Sequence, residues 1–142
     1  MHWSPESKIV CGILLIAVPS IMYGGITLLG ILTDGGAGMK PGSLVLDEKQ
    51  WALWRAGHAH AGVYVILALI LQPLVDQTAF SGSVKWVARL GAPIASVVVP
   101  GAFFGLAFVP GFRWVMYIGI VCLAVSMLLT GIGLLRNLRP LA

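Results

Sequence analysis

Charge is scarce in this sequence: of 142 residues only 10% are Asp, Glu, Lys or Arg, while 58% are hydrophobic. A soluble domain needs about 25% charged residues to cover its surface. This chain cannot cover one, so the solvent it is built for is lipid. Acids are the scarcer sign, five against nine basic residues, and none falls within a long apolar run. That weighs against a carboxylate-based proton pump or an ion-coupled transporter. Cysteine is nearly absent too. Cys11 and Cys122 each lie in an apolar run without Cys-x-x-Cys spacing, which reads as small packing residues rather than metal ligands. A Ser-His-Asp arrangement and a phosphate loop are also missing. The net charge of +4 brings no basic patch interleaved with aromatics, so nucleic acid is not a partner.

What the sequence has in quantity is apolar length. Four stretches, at residues 9–33, 54–75, 87–109 and 114–135, are each largely apolar. Each is long enough to cross a bilayer core at 1.5 Å per residue, which takes about 20 residues. The expected fold is all-α, an integral membrane bundle of four transmembrane helices forming one domain over 1–142. The first stretch lacks a strong positive leader and outruns a signal h-region, so it reads as a retained span. The segment TDGGAGMKPGSLVLDEKQWALW is the one long connection; its DEKQWALW end can start an amphipathic lead into the second helix. A tight Pro-Gly turn at VPGFRW makes the last two helices antiparallel neighbours. Pro19, Pro93 and Pro100 lie inside spans, implying kinks or freed carbonyls that a neighbour satisfies. Glycine and alanine at Gly24, Gly25, Gly57, Ala61, Gly62, Gly131 and Gly133 suit close helix approach.

Lys8, Lys85, Arg89, Arg136 and Arg139 group at the end of the bundle that holds the N-terminus. Lys40, Lys49, Arg55 and Arg113 sit at the other, beside Asp34, Asp47 and Glu48. The positive-inside rule then places both termini in the cytoplasm.

The chemistry concentrates in RAGHAHAGVY, residues 55–64, which holds two of the three histidines; the third, His2, is near the N-terminus. An imidazole in an apolar span is a functional candidate by default, although near the interface it also serves simply by facing water or a headgroup. His58 and His60 are about 200° apart on a helix, so they do not chelate one ion together. Trp54, Arg55 and Gly62 accompany His58, a basic group and a broad aromatic beside small side chains. Tyr64 lies one turn beyond His60 and is in range to hydrogen-bond it. One neutral imidazole suffices as an axial haem ligand, and arginine commonly pairs with a propionate. A bis-histidine haem is disfavoured, because no other span has an imidazole. With so few polar groups in the spans, an enzyme here would take its chemistry from a cofactor.

The succession ESKIVCGILLI, a long loop with a Pro-Gly, WALWRAGHAHAGVYVI, ILQPLVD and VARLGAPI resembles the styrene oxide isomerase family and the related hydroxylaminobenzene mutases. The resemblance implies a small four-helix enzyme of the bacterial cytoplasmic membrane, with haem b as cofactor and a homo-oligomer, a trimer, as assembly. It implies redox-neutral conversion of a small hydrophobic epoxide to a carbonyl compound, with ferric haem as Lewis acid. His58 is then the metal ligand, with His60, Arg55, Trp54 and Gly62 around the cofactor and Tyr64 and Tyr23 as polar substrate contacts. The sequence departs from the family where Arg55 aligns with the haem histidine and Ala61-Gly62 with an Asn-Gly. Two other readings stand beside it: a non-enzymatic subunit of a larger membrane complex, and a copper- or haem-handling protein using His58, His60 and Met39.

Overall fold

A computed structural model describes residues 3–42 and 44–138; His2 and Arg139 lie outside the described residues. Four helices follow one another: α1 (Pro5–Leu32), α2 (Glu48–Asp76), α3 (Gly82–Leu106) and α4 (Phe112–Arg136). Each is long and apolar enough to cross a membrane, and among the described residues there is no strand. The chain is an all-α bundle of four membrane-length helices.

Local chemistry sets the ends. Ser4 accepts from the Ser7 amide at 3.1 Å, with Pro5 in the first turn, so α1 begins four residues before the apolar run. Asp47 and Gln50 form a reciprocal capping box that starts α2 at Glu48 rather than 54. The amphipathic lead is therefore helical from its first turn. At the far end, Val109 precedes Pro110, which disfavours helical backbone. α3 stops at Leu106, three residues short of the expected limit. The glycine-rich connection folds back on α1. Gly38 takes a φ of +74°, and Met39 donates its amide to Ile26 O at 3.1 Å. The Met39 backbone lies where a Cβ on Gly30 would be, so this docking needs glycine there.

α3 occupies the middle, packing on α2 to one side and α4 to the other, while α1 packs on α2. Its buried face is Ala88, Ala92, Ala95 and Val99, against Val65, Ala68 and Leu71 of α2 and Leu123 of α4. Small residues bring backbones together where the Cβ is missing: a Cβ on Gly91 would fall 2.3 Å from Cys122 O, and one on Gly119 would fall 2.6 Å from Val99. Both cysteines are free thiols.

One of the carbonyls freed by proline has an answer. Pro93 has no N–H for Arg89 O, and the fully buried Gln72 of α2 donates Nε2 to that oxygen at 3.1 Å. Arg89 itself corrects an expectation. It is not one of the free basic charges at its end of the bundle. It is 3% exposed and pairs with Asp76 at 2.6 Å, so an acid closes the last turn of α2 inside the protein. Ser4 joins the pair, its amide on Asp76 at 2.9 Å and its hydroxyl accepting from Arg89 at 3.3 Å. One polar knot thus ties the starts of α1 and α3 to the end of α2, although Arg89 Nε and Gln72 Oε1 find no partner in it.

Candidate functional site

His58 and His60 leave α2 in opposite directions. The His58 ring lies on the backbone of α1: a Cβ on Gly25 would sit 3.1 Å from Nε2 and 3.2 Å from Cε1, and one on Gly24 would sit 3.9 Å from Nδ1. The glycine pair is therefore the seat of the imidazole. Among the described residues, no hydrogen bond engages either His58 nitrogen. A cavity of about 350 Å³ opens beside it, lined by Tyr23, Gly24, Thr27 and Leu28 of α1, Trp54 and His58 of α2 and Phe104 of α3. Trp54 stands edge-on to Phe104 and Phe108, with ring centres 5.4 and 6.3 Å apart. Its indole Nε1 is buried without a partner. A buried donor left unpaired costs about 1–3 kcal/mol, which a ligand oxygen would recover.

His60 is occupied. Its Nδ1 donates to Ala56 O at 2.7 Å, which leaves Nε2 as the acceptor nitrogen. The ring lies tilted on Phe103 at 4.8 Å, and Tyr64 meets it edge-on at 5.3 Å. That contact is aromatic, in place of the expected hydrogen bond. Gly57, immediately before His58, lets α3 in: its Cβ would fall 2.9 Å from Phe104 and 3.1 Å from Phe103.

The structure thus brings Tyr23, Trp54 and His58 to one cavity and sends Tyr64 and His60 to another face, against α3. Arg55 is exposed, one turn before His58 on the same side of α2. Gly62 borders open space rather than the imidazole, with nothing within 4 Å of its Cβ position. Phe104 and Thr27 join the site without having been marked by any sequence pattern. The glycine pair was legible as a close-packing signal, but its partner was not. Among the described residues, no group of three or more His, Cys, Asp or Glu is placed to hold a metal ion. The site is a small, almost wholly apolar space bordered by Tyr23, by an imidazole without an internal hydrogen bond and by a tryptophan whose N–H is buried and unpaired.

No family model, curated protein or solved structure matches this chain.

Proposed function

We propose that the protein is a membrane enzyme that isomerises a small hydrophobic epoxide to a carbonyl compound, with haem b as cofactor. The observation that carries the reading is the His58 imidazole, free of internal hydrogen bonds and set beside an apolar cavity in the membrane-spanning part of the chain. The donor set suits a single-ligand haem: His58 for the iron, exposed Arg55 one turn away for a propionate, and the unpaired Trp54 Nε1 as a donor. Nε2 meets iron only after the ring turns off Gly25. The cavity of about 350 Å³ is of substrate size, at the low end of small-molecule sites. A tetrapyrrole would need more room than this cavity holds, and a second copy of the chain would be the cover for what lies outside it.

His58 would hold ferric haem through one imidazole, and the group would then supply Lewis-acid chemistry. The chain's own residues do the rest. Trp54 and Phe104 would exclude water and hold a flat apolar substrate; the Trp54 N–H, buried and unpaired, would reach its oxygen only after the indole turns, and Tyr23 borders the same cavity. We place the protein in a bacterial cytoplasmic membrane with both termini inside, on Lys8, Lys85, Arg136 and Arg139 at that end against Lys49, Arg55 and Arg113 at the other, where Lys40 is paired with Asp34.

The test is an absorption spectrum of protein purified in mild detergent from haem-supplemented cells, for the parent chain and His58→Ala. A Soret band lost in His58→Ala supports the reading. A colourless, folded parent protein removes it and favours the non-enzymatic subunit, whose partner would take the exposed apolar side of α1 (Ile16, 81% exposed). The copper-handling alternative finds less support, since His58 and His60 face different helices.

A further inference from the structure

α1 and α3 both flank α2, and between them runs a furrow that the His58 cavity only begins. Its floor is one line of α2: His58, Val65 and Asp76 are spaced so that they fall within about 20° of each other on the helix. One wall is α1, where Glu6, Ile13, Ser20 and Thr27 recur every seven residues. The other is α3, through Arg89, Pro93, Val97 and Phe104. Three separate cavities succeed one another on that side: about 350 Å³ at His58, about 600 Å³ over Val65, and about 330 Å³ at Asp76 and Arg89, the last two parted where Ser7 of α1 donates to Gln72 O of α2.

The last two differ in chemistry in the way a lipid does along its length. The middle trough is apolar, walled by Ile13, Leu14, Ala17 and Ile21 of α1 and by Ile94 and Val97 of α3. The end cavity is polar and charged, with Glu6, Asp76, Lys85 and Arg89 around it and half-exposed Trp86 at its edge. Arg89 and Asp76 are spent on each other. Lys85 and Glu6 are left as unlike charges on one cavity, without a salt bridge among the described residues; the Lys85 ammonium makes one long hydrogen bond, 3.4 Å, to the Asp76 carbonyl. Gly82, the first residue of α3, lines the same cavity, and Ser81 gives that helix no side-chain cap, which leaves its first-turn amides without a side-chain partner. A simple anion would meet Glu6, and a simple cation would meet Lys85. A group carrying both charges meets neither penalty.

We propose that the Arg89-end cavity and the α1–α3 trough form a site for one zwitterionic phospholipid. Its phosphate lies toward Lys85 and the α3 amides, its ammonium toward Glu6, and one acyl chain follows the trough over Val65. The apolar trough selects a lipid rather than a soluble phosphoethanolamine.

The test is native mass spectrometry of the full chain released from nanodiscs that hold phosphatidylethanolamine and phosphatidylglycerol in equal amounts. One retained phospholipid per chain is expected, phosphatidylethanolamine favoured several-fold. Lys85→Ala lowers retention of either lipid, and Glu6→Gln abolishes the preference between them. Ala17→Phe, at an exposed position on the trough wall, expels the lipid whatever its headgroup. Ser20→Phe fills the same trough and replaces it if Ala17→Phe does not fold by circular dichroism. Absence of a retained lipid in the parent chain overturns the proposal. So does equal retention of the two lipids, or retention indifferent to Lys85→Ala and to the trough-filling change.

Discussion

At the scale of single residues, the two imidazoles of RAGHAHAG are unequal. His60 Nδ1 is tied to Ala56 O and its ring to Phe103, while neither His58 nitrogen is engaged. His58→Ala is therefore expected to abolish haem binding and isomerase activity, whereas His60→Ala lowers both less, through lost packing against α3. Pigment that survives His58→Ala and disappears in His60→Ala would reverse the assignment, and the Soret absorbance of the two variants decides it. Arg55→Ala is expected to loosen haem while the iron stays on its imidazole, read as faster haem loss to apomyoglobin with an unchanged band position. Gly25→Ala puts a methyl group 3.1 Å from His58 Nε2. That is tighter than a normal contact, so the ring is pushed off Gly25, the movement by which Nε2 is freed for iron, and the Soret band is expected to be retained. Loss of that band in Gly25→Ala would show that the imidazole binds iron from its glycine seat and that the turn is not needed.

Among the elements, the three-helix knot carries the clearest energetic consequences. Asp76 and Arg89 side chains are 8% and 4% exposed, so removing one strands the other. Arg89→Met alone is expected to cost about 3–5 kcal/mol, whereas Arg89→Met with Asp76→Leu restores much of it. Thermal unfolding in detergent distinguishes the two outcomes. Gln72→Leu leaves the Arg89 carbonyl unpaired next to Pro93 and is expected to cost about 1–3 kcal/mol. In the loop after α1, the Lys40 ammonium beside Asp34 holds that carboxyl below its usual range. With the folded pKa lowered, this contact is fully present above the ordinary carboxylate pKa. It is lost as pH falls through the lowered value, and amide exchange at Ala37 and Met39 should accelerate only there. The helices themselves were legible from apolar run length, because crossing a bilayer core takes a fixed number of residues. Their polar starts were not fully legible. Ser4 and the Asp47–Gln50 box extend α1 and α2 beyond the hydrophobic signal that marks a span. Arg89 was misread for a related reason: its partner Asp76 lies across a loop on another helix, and only the register of α2 against α3 brings the two together.

For the whole molecule, α2 is the organising helix, since both candidate sites lie along its length. His58 marks one end of the α1–α3 furrow and Asp76 the other, about 27 Å apart at 1.5 Å per residue. The opposition of His58 and His60 followed from helical period alone. That His58 meets Gly24 and Gly25, and that Tyr23 shares its cavity while Tyr64 does not, depends on how α1 packs on α2, and no local pattern encodes that. Reporter fusions at the C-terminus and at Gly42 are expected to read cytoplasmic and external respectively; the opposite result would invert the orientation given to the furrow. The central claim is that His58 holds a haem at this furrow. It is tested most directly by the absorption spectrum of the purified parent protein, before and after dithionite. The account predicts a stoichiometric Soret band that shifts on reduction, responds to an added iron ligand and is absent in His58→Ala. A folded parent protein without that band, or an undiminished band in His58→Ala, would contradict it.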